Sequence, residues 1–187
     1  MTDENRKNTV KRICKNGMLL AILCIVGMFS IPLGPNIKLT FQLLIVFIVC
    51  LLSEGIVDSL IIVGSYVMMG LLLPIYAGFS SGISPTFGFL ISFIVITPVV
   101  YFLNKIIKLP SIPRMSIACF VGLIICYLIG SIFMSLYLQI SFWATLVISV
   151  LPYIAFDILK LILAVCLVHS LQKLNNLNKN LTNWNTK

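Results

Sequence analysis

Long apolar stretches alternate along this chain with short segments rich in proline, glycine, serine or charge. The apolar stretches cover about residues 13–33, 39–52, 56–73, 86–104, 115–138 and 153–170. A helix crosses the hydrocarbon core of a bilayer in about 20 residues, so the pattern predicts six transmembrane helices. The first stretch follows a basic start, as a signal peptide would. It is long, however, and no small-x-small cleavage site precedes Pro32, so it reads as a retained helix. Pro32, Gly34 and Pro35 end it in a tight turn. The second stretch is short for a crossing and is expected to be steep or partly re-entrant. Ser53, Glu54 and Gly55 break it, and Pro74 stops the third. Pro85 and Thr86 open the fourth, because a proline at the first helical position gives up an N–H that has no helical partner there. Pro110 and Pro113 lie in a basic loop at 105–114, and Pro152 opens the sixth stretch. Residues 139–149 hold Trp143 and read as a short interfacial segment, a depth that Trp favours.

Composition agrees with lipid as the solvent. Of 187 residues, 60% are hydrophobic and 10% charged, and mean hydropathy is +1.12. An ordinary soluble domain is about 45–50% apolar and about 25% charged, and a soluble fold of this size cannot hide so much apolar surface. A cytosolic enzyme, a secreted disulfide scaffold and a nucleic-acid-binding domain are excluded together. Six spans use roughly 120 residues and leave about 65 for ends and loops. The expected organisation is an all-α polytopic membrane domain at 13–170. It lies between a polar, disordered N-terminal tail at 1–12 and a polar C-terminal tail at 171–187.

The net charge of +8 is a topology signal. Arg6, Lys7, Lys11, Arg12 and Lys15 cluster at the start, Lys105, Lys108 and Arg114 in one loop, and Lys173, Lys179 and Lys187 in the tail. Basic clusters beside spans mark the cytoplasmic side. With both termini cytoplasmic, all of these fall inside and Lys38 alone falls outside. The bilayer, not a nucleic acid, explains the charge.

Cysteines 14, 24, 50, 119, 126 and 166 contain no C-x-x-C. They read as small hydrophobic residues, with no zinc site or disulfide framework. Asp157 and Lys160 differ from their surroundings. They lie three residues apart in an apolar run, hence on one helical face. A charge at the centre of a span costs roughly 2.5–3.5 kcal/mol, so both should face the bundle interior, where a pocket open to the outside would lie. The alternative is a pair that merely neutralises itself.

The segment 77–88 contains Gly78, Ser80, Ser81 and Gly82 and offers N–H and hydroxyl donors. It is equally readable as a connecting turn. Gln42 could read a polar ligand group or bond across helices. Gly17 and Ala21, four apart, allow another helix to approach closely, either from a partner or within the chain. Catalytic arrangements are poor: His169 is the only histidine, and the chain has no Gly-rich phosphate loop.

Three motifs resemble one family. Residues 31–35 (Ile-Pro-Leu-Gly-Pro) followed by Leu39, Thr40, Phe41 and Gln42 are similar to the junction of helices one and two in the biotin-specific S-components (BioY) of energy-coupling-factor transporters. Leu73, Pro74, Gly78 and Gly82, then Pro85, Thr86, Phe87, Gly88 and Phe89, resemble their G-G and P-T-G-G-Y signature. Leu151, Pro152, Tyr153, Asp157 and Lys160 resemble their L-P-F-x3-D-x2-K. The likeness covers about residues 13–170. It implies an S-component-like bundle in the bacterial plasma membrane that captures biotin. A transmembrane T-component and two cytosolic ABC-type ATPases, which use the ATP, would be its partners.

The resemblance also implies that Asp157 and Lys160 contact biotin, and with them the candidate substrate site comprises Gln42, Gly78, Ser80, Ser81, Gly82, Thr86, Phe89 and Tyr153. Gly17 and Ala21 would face the T-component, and no cofactor, metal or catalytic residue is expected. Asp157 would accept from ureido N–H groups. Lys160 would face either the ureido carbonyl or the valerate carboxylate. The chain departs from the pattern at Phe87 (for Gly), at Phe89 (for Tyr), and at Ser53, Glu54 and Gly55 (for a basic turn). Its loop before Pro85 is shorter and lacks an Arg. Another vitamin or a biotin precursor is the alternative ligand, and an intramembrane enzyme the alternative class.

Overall fold

The computed structural model describes the backbone of residues 3–32 and 38–185, with side chains for 5–31 and 39–175. The turn expected at Gly34 and Pro35 lies outside the described residues, as do the side chains of Lys38 and Lys179 and the whole of Lys187. The elements in order are α1 (Asp3–Met28), β1 (Ser30–Pro32), β2 (Lys38–Thr40), α2 (Gln42–Leu52), α3 (Ile56–Leu72), α4 (Phe87–Ile106), α5 (Ser111–Leu138), α6 (Phe142–Ser149) and α7 (Ile154–Asn185). Among the described residues, Phe87–Ile106, Ser111–Leu138 and Ile154–Asn175 are long and apolar enough to cross a membrane. The protein is a mostly helical membrane protein.

Four details differ from the sequence reading. The chain is not purely helical: β1 and β2 pair antiparallel, Ser30 with Thr40, Ile31 with Leu39 and Pro32 with Lys38. The first helix therefore ends at Met28 rather than near 33. The polar start is helical from Asp3 onward. Extending an existing helix costs far less than nucleating one, and Arg12 and Asn16 anchor it by bonds described below. At the other terminus, α7 continues to Asn185 instead of giving way to a tail at 171. Finally, α5 begins at Ser111 with Pro113 in its first turn, where a missing N–H is harmless.

Helix α2 has 11 residues, about 16 Å at 1.5 Å per residue, roughly half of a hydrocarbon core. It tolerates this because protein surrounds it. Leu43, Ile45, Val46, Phe47, Val49, Cys50 and Leu51 are all buried, and α2 packs on α1, α3, α4 and α7.

Helices α4 and α5 interlock through small residues. A side chain at Gly88 would strike Phe133, one at Gly130 would strike Phe89, and one at Gly122 would meet Val100 at 2.7 Å. Without a hydrophobic drive between helices in lipid, such close backbone approach is what holds them together. The outward faces carry large exposed apolar residues, among them Phe120, Ile124, Leu128 and Ile132 of α5 and Leu159 and Ile162 of α7.

Candidate functional site

Helix α7 has one buried stripe: Asp157, Lys160, Leu161, Ala164, Val165 and Val168. These positions recur at the helical spacing that marks one face, and both charges lie on it. Asp157 is 6% exposed and Lys160 4%, whereas Ile158 between them is 41% exposed. Lys160 Nζ donates to Asp157 Oδ1 at 2.6 Å. Across the helix contact, Tyr127 Oη of α5 donates to Asp157 Oδ2 at 2.7 Å. Among the described residues each carboxylate oxygen thus accepts from one side-chain donor. A carboxylate offers about four acceptor positions, so capacity remains, as do further N–H groups on the Lys160 ammonium. Tyr153 lies one turn before Asp157, and its carbonyl accepts from the Asp157 N–H at 2.8 Å.

Beside this cluster, Ser92 Oγ bonds the Phe89 carbonyl at 2.6 Å and Cys126 Sγ at 3.0 Å. Phe89 is half-buried and sits against Gly130, wedged between α4 and α5. Gln42 is buried, and its Nε2 donates to Tyr66 Oη at 2.6 Å, so this amide bonds across helices.

The 77–84 loop is folded onto the ends of α1 and α3. Gly78 N–H donates to the Met28 carbonyl at 2.9 Å, Gly82 N–H to Gly70 at 3.0 Å, and Tyr76 and Ser80 exchange backbone bonds. Gly78 and Gly82 have φ of 74° and 78°, the left-handed region that suits glycine. Ser80 Oγ bonds the Ala77 carbonyl, Thr86 Oγ1 pairs with Ser84, and Ser81 is exposed. The N–H groups of Gly78, Ser80 and Gly82 therefore build the loop.

Gly17 and Ala21 are exposed on α1 beside Met18, Ile22 and Ile25. A Cβ added to Gly17 meets nothing within 4 Å. Packing within the chain does not require them to be small.

At the end of the bundle where α1 begins, Arg12 Nε lies 2.9 and 2.8 Å from the two oxygens of Asp58. Its Nη2 is 2.8 Å from Oδ2, and Asn16 Nδ2 donates to Oδ1 at 2.8 Å. Lys15 reaches Glu54 at 3.3 Å. The Asp58 carboxylate, by hydrogen bond first and then by charge, raises the Arg12 guanidinium above its ordinary value. These contacts join α1 to α3. The pairing was not foreseen, although an aspartate in an apolar run asks for a partner. Tyr127 was also missed; its signal was a hydroxyl-bearing side chain in the middle of an apolar span.

The sequence profile of the BioY family matches residues 2–176. The chain belongs to the BioY family. It is 28% identical over 170 residues to the biotin transporter BioY of Thermotoga maritima, covering 88% of this chain and 98% of that one. It is 27% identical over 169 residues to biotin transporter BioY2 of Lactococcus lactis subsp. cremoris, covering 87% and 91%. The fold is similar to a crystal structure of the S-component for biotin from an ECF-type ABC transporter. The TM-score is 0.80 and the identity 26%, over 92% of this chain and 95% of that one.

Proposed function

We propose that this BioY-family chain is the biotin-binding S-component of an energy-coupling-factor transporter, working in transport and not in chemical conversion. It takes biotin from outside the cell and delivers it for ATP-driven uptake, together with a transmembrane T-component and two cytosolic ATPases. It needs no cofactor of its own, because the ATPases use the ATP. The observation that carries the binding site is the Asp157–Lys160 pair, buried on the inner face of a membrane-depth helix. Two unpaired charges there would be costly. Paired, they present a preorganised acceptor and donor to a ligand that carries both kinds of group.

Biotin is such a ligand: its cyclic urea has two N–H donors and one carbonyl acceptor. The carboxylate accepts the N–H groups, with Tyr127 and Lys160 fixing its plane. Tyr153 and the 77–89 segment complete the outer side of the site. Gly17 and Ala21 present the close-approach surface for the T-component, which their exposure supports.

In this reading the chain crosses the plasma membrane six times with both termini in the cytoplasm. The helices α1, α2, α3, α4, α5 and α7 are the crossings, and the Arg12–Asp58 contacts lie at the inner side. The test is retention of labelled biotin by the detergent-purified chain, recovered chemically unchanged. Reconstitution with the T-component and ATPases should then give ATP-dependent uptake. Folded protein that retains no biotin would overturn the assignment.

A further inference from the structure

Ser131 of α5 is fully buried, and its Oγ has no hydrogen-bond partner among the described residues. The other buried hydroxyls on neighbouring helices do have partners: Ser92 bonds Phe89 and Cys126, and Thr97 bonds the Phe93 carbonyl at 2.7 Å. A helical serine ordinarily turns back to the carbonyl four residues earlier, as Ser116 does to Ile112 on the same helix. Ser131 makes no such bond to the Tyr127 carbonyl. A buried hydroxyl left unpaired is a cost to the free protein and calls for an explanation.

Its position supplies one. Ser131 follows Tyr127 by four residues and therefore lies on the same helical face, one turn of about 5.4 Å further along. Tyr127 is the residue whose hydroxyl holds Asp157 from across the α5–α7 contact. Tyr127 and Ser131 thus place hydroxyls on adjacent turns of one α5 face. The first is committed to the carboxylate, and the second has no partner among the described residues.

We infer that Ser131 is a ligand-contacting residue whose hydroxyl hydrogen-bonds the polar cyclic-urea head of the substrate. This rests on the functional reading above and extends the site from α7 onto α5. Tyr127 positions Asp157, and Ser131 touches the ligand itself. The free protein tolerates the unpaired hydroxyl, and bound ligand satisfies it.

The test uses full-length, detergent-purified wild type and Ser131→Ala, measuring biotin affinity and the melting temperature without ligand. Alanine removes the hydroxyl and almost no volume. Affinity should fall about three- to tenfold, the worth of one neutral hydrogen bond. The ligand-free melting temperature should stay level or rise. Desthiobiotin, which keeps the cyclic urea but lacks the thioether, should show the same loss.

Unchanged biotin affinity in Ser131→Ala would overturn the role of Ser131 while leaving the transporter reading in place. A fall in stability without ligand, or failure to fold, would mark the hydroxyl as structural and overturn it too. A loss confined to biotin would move the contact away from the urea. Folded wild type that binds no biotin would overturn both the functional reading and the ligand class named here.

Discussion

Tyr127 of α5 donates to one oxygen of Asp157 at 2.7 Å, while Lys160, one turn along α7 from that aspartate, donates to the other at 2.6 Å. The carboxylate is thereby held from two helices. Its orientation depends on how α5 and α7 pack, and not on the sequence spacing within α7 alone.

The two charges should be needed together. Asp157→Asn weakens acceptance of N–H groups and leaves Lys160 without its counter-charge. Lys160→Ala removes a donor and strands the buried carboxylate. A hydrogen bond to a charged group in a buried site contributes roughly 1.5–3 kcal/mol. Each change is therefore expected to weaken biotin about 10- to 150-fold. Ile158→Leu, on the exposed face, should change little. Equilibrium binding to folded variants decides this, and wild-type affinity in both charge variants would return the pair to a purely structural role.

Tyr127→Phe tests positioning. The ring stays and the hydroxyl goes, so Asp157 loses one of its two holders. Biotin affinity should fall by less than in Asp157→Asn, about three- to tenfold. In an Asp157→Asn background the same change should cost almost nothing further, because there is no carboxylate left to hold. Interacting residues are non-additive in this way. Additive losses in the double-mutant cycle would mean that Tyr127 acts independently of Asp157.

The contact between α1 and α3 should be a unit. Asp58 is buried and Arg12 half exposed, so removing Arg12 leaves a buried carboxylate without its counter-charge, supported by Asn16 and the Gly55 backbone. Arg12→Ala and Asp58→Ala should each lower the melting temperature in detergent, and the double variant should lose no more than the worse single variant. Biotin affinity, read at the other end of the bundle, should be retained. A melting temperature unchanged by either substitution would show the ion pair to be energetically idle.

Gly17 and Ala21 predict a separation of assembly from binding. Leucine at both positions adds bulk to a face where an added Cβ at Gly17 touches nothing. Folding and biotin binding by the isolated chain should survive, while ATP-driven uptake with the T-component and ATPases should fall. Equal uptake by the double variant would remove this face from the partner interface.

Topology is checked by labelling. Cysteines introduced at Lys108 and at Ser81, in a background without the exposed Cys14 and Cys166, lie on opposite sides of the proposed membrane. An impermeant reagent applied to intact cells should reach Ser81→Cys and spare Lys108→Cys. The reverse pattern would invert the proposed orientation.

The sequence by itself determined the solvent, the approximate helices and the face that carries Asp157 and Lys160. These follow from local quantities: hydropathy summed over a window, proline and glycine as breakers, and the helical angle between positions three apart. Family motifs, also short and local, named the ligand class. Only the tertiary structure decided what each polar group touches. Gln42 bonds Tyr66 and the loop amides of Gly78 and Gly82 hold their own loop, because contacts between segments far apart in sequence claim them first. The same long-range packing brought Tyr127 to Asp157 and Arg12 to Asp58, pairs 30 and 46 residues apart. It also let α2 be short, since a helix enclosed by others need not match the bilayer. It anchored α1 at Arg12 and Asn16, because Asp58 on α3 was there to hold them. Periodicity fixes which way a residue points along its own helix. Which partner waits there depends on how the helices assemble, and no window along the chain contains that information.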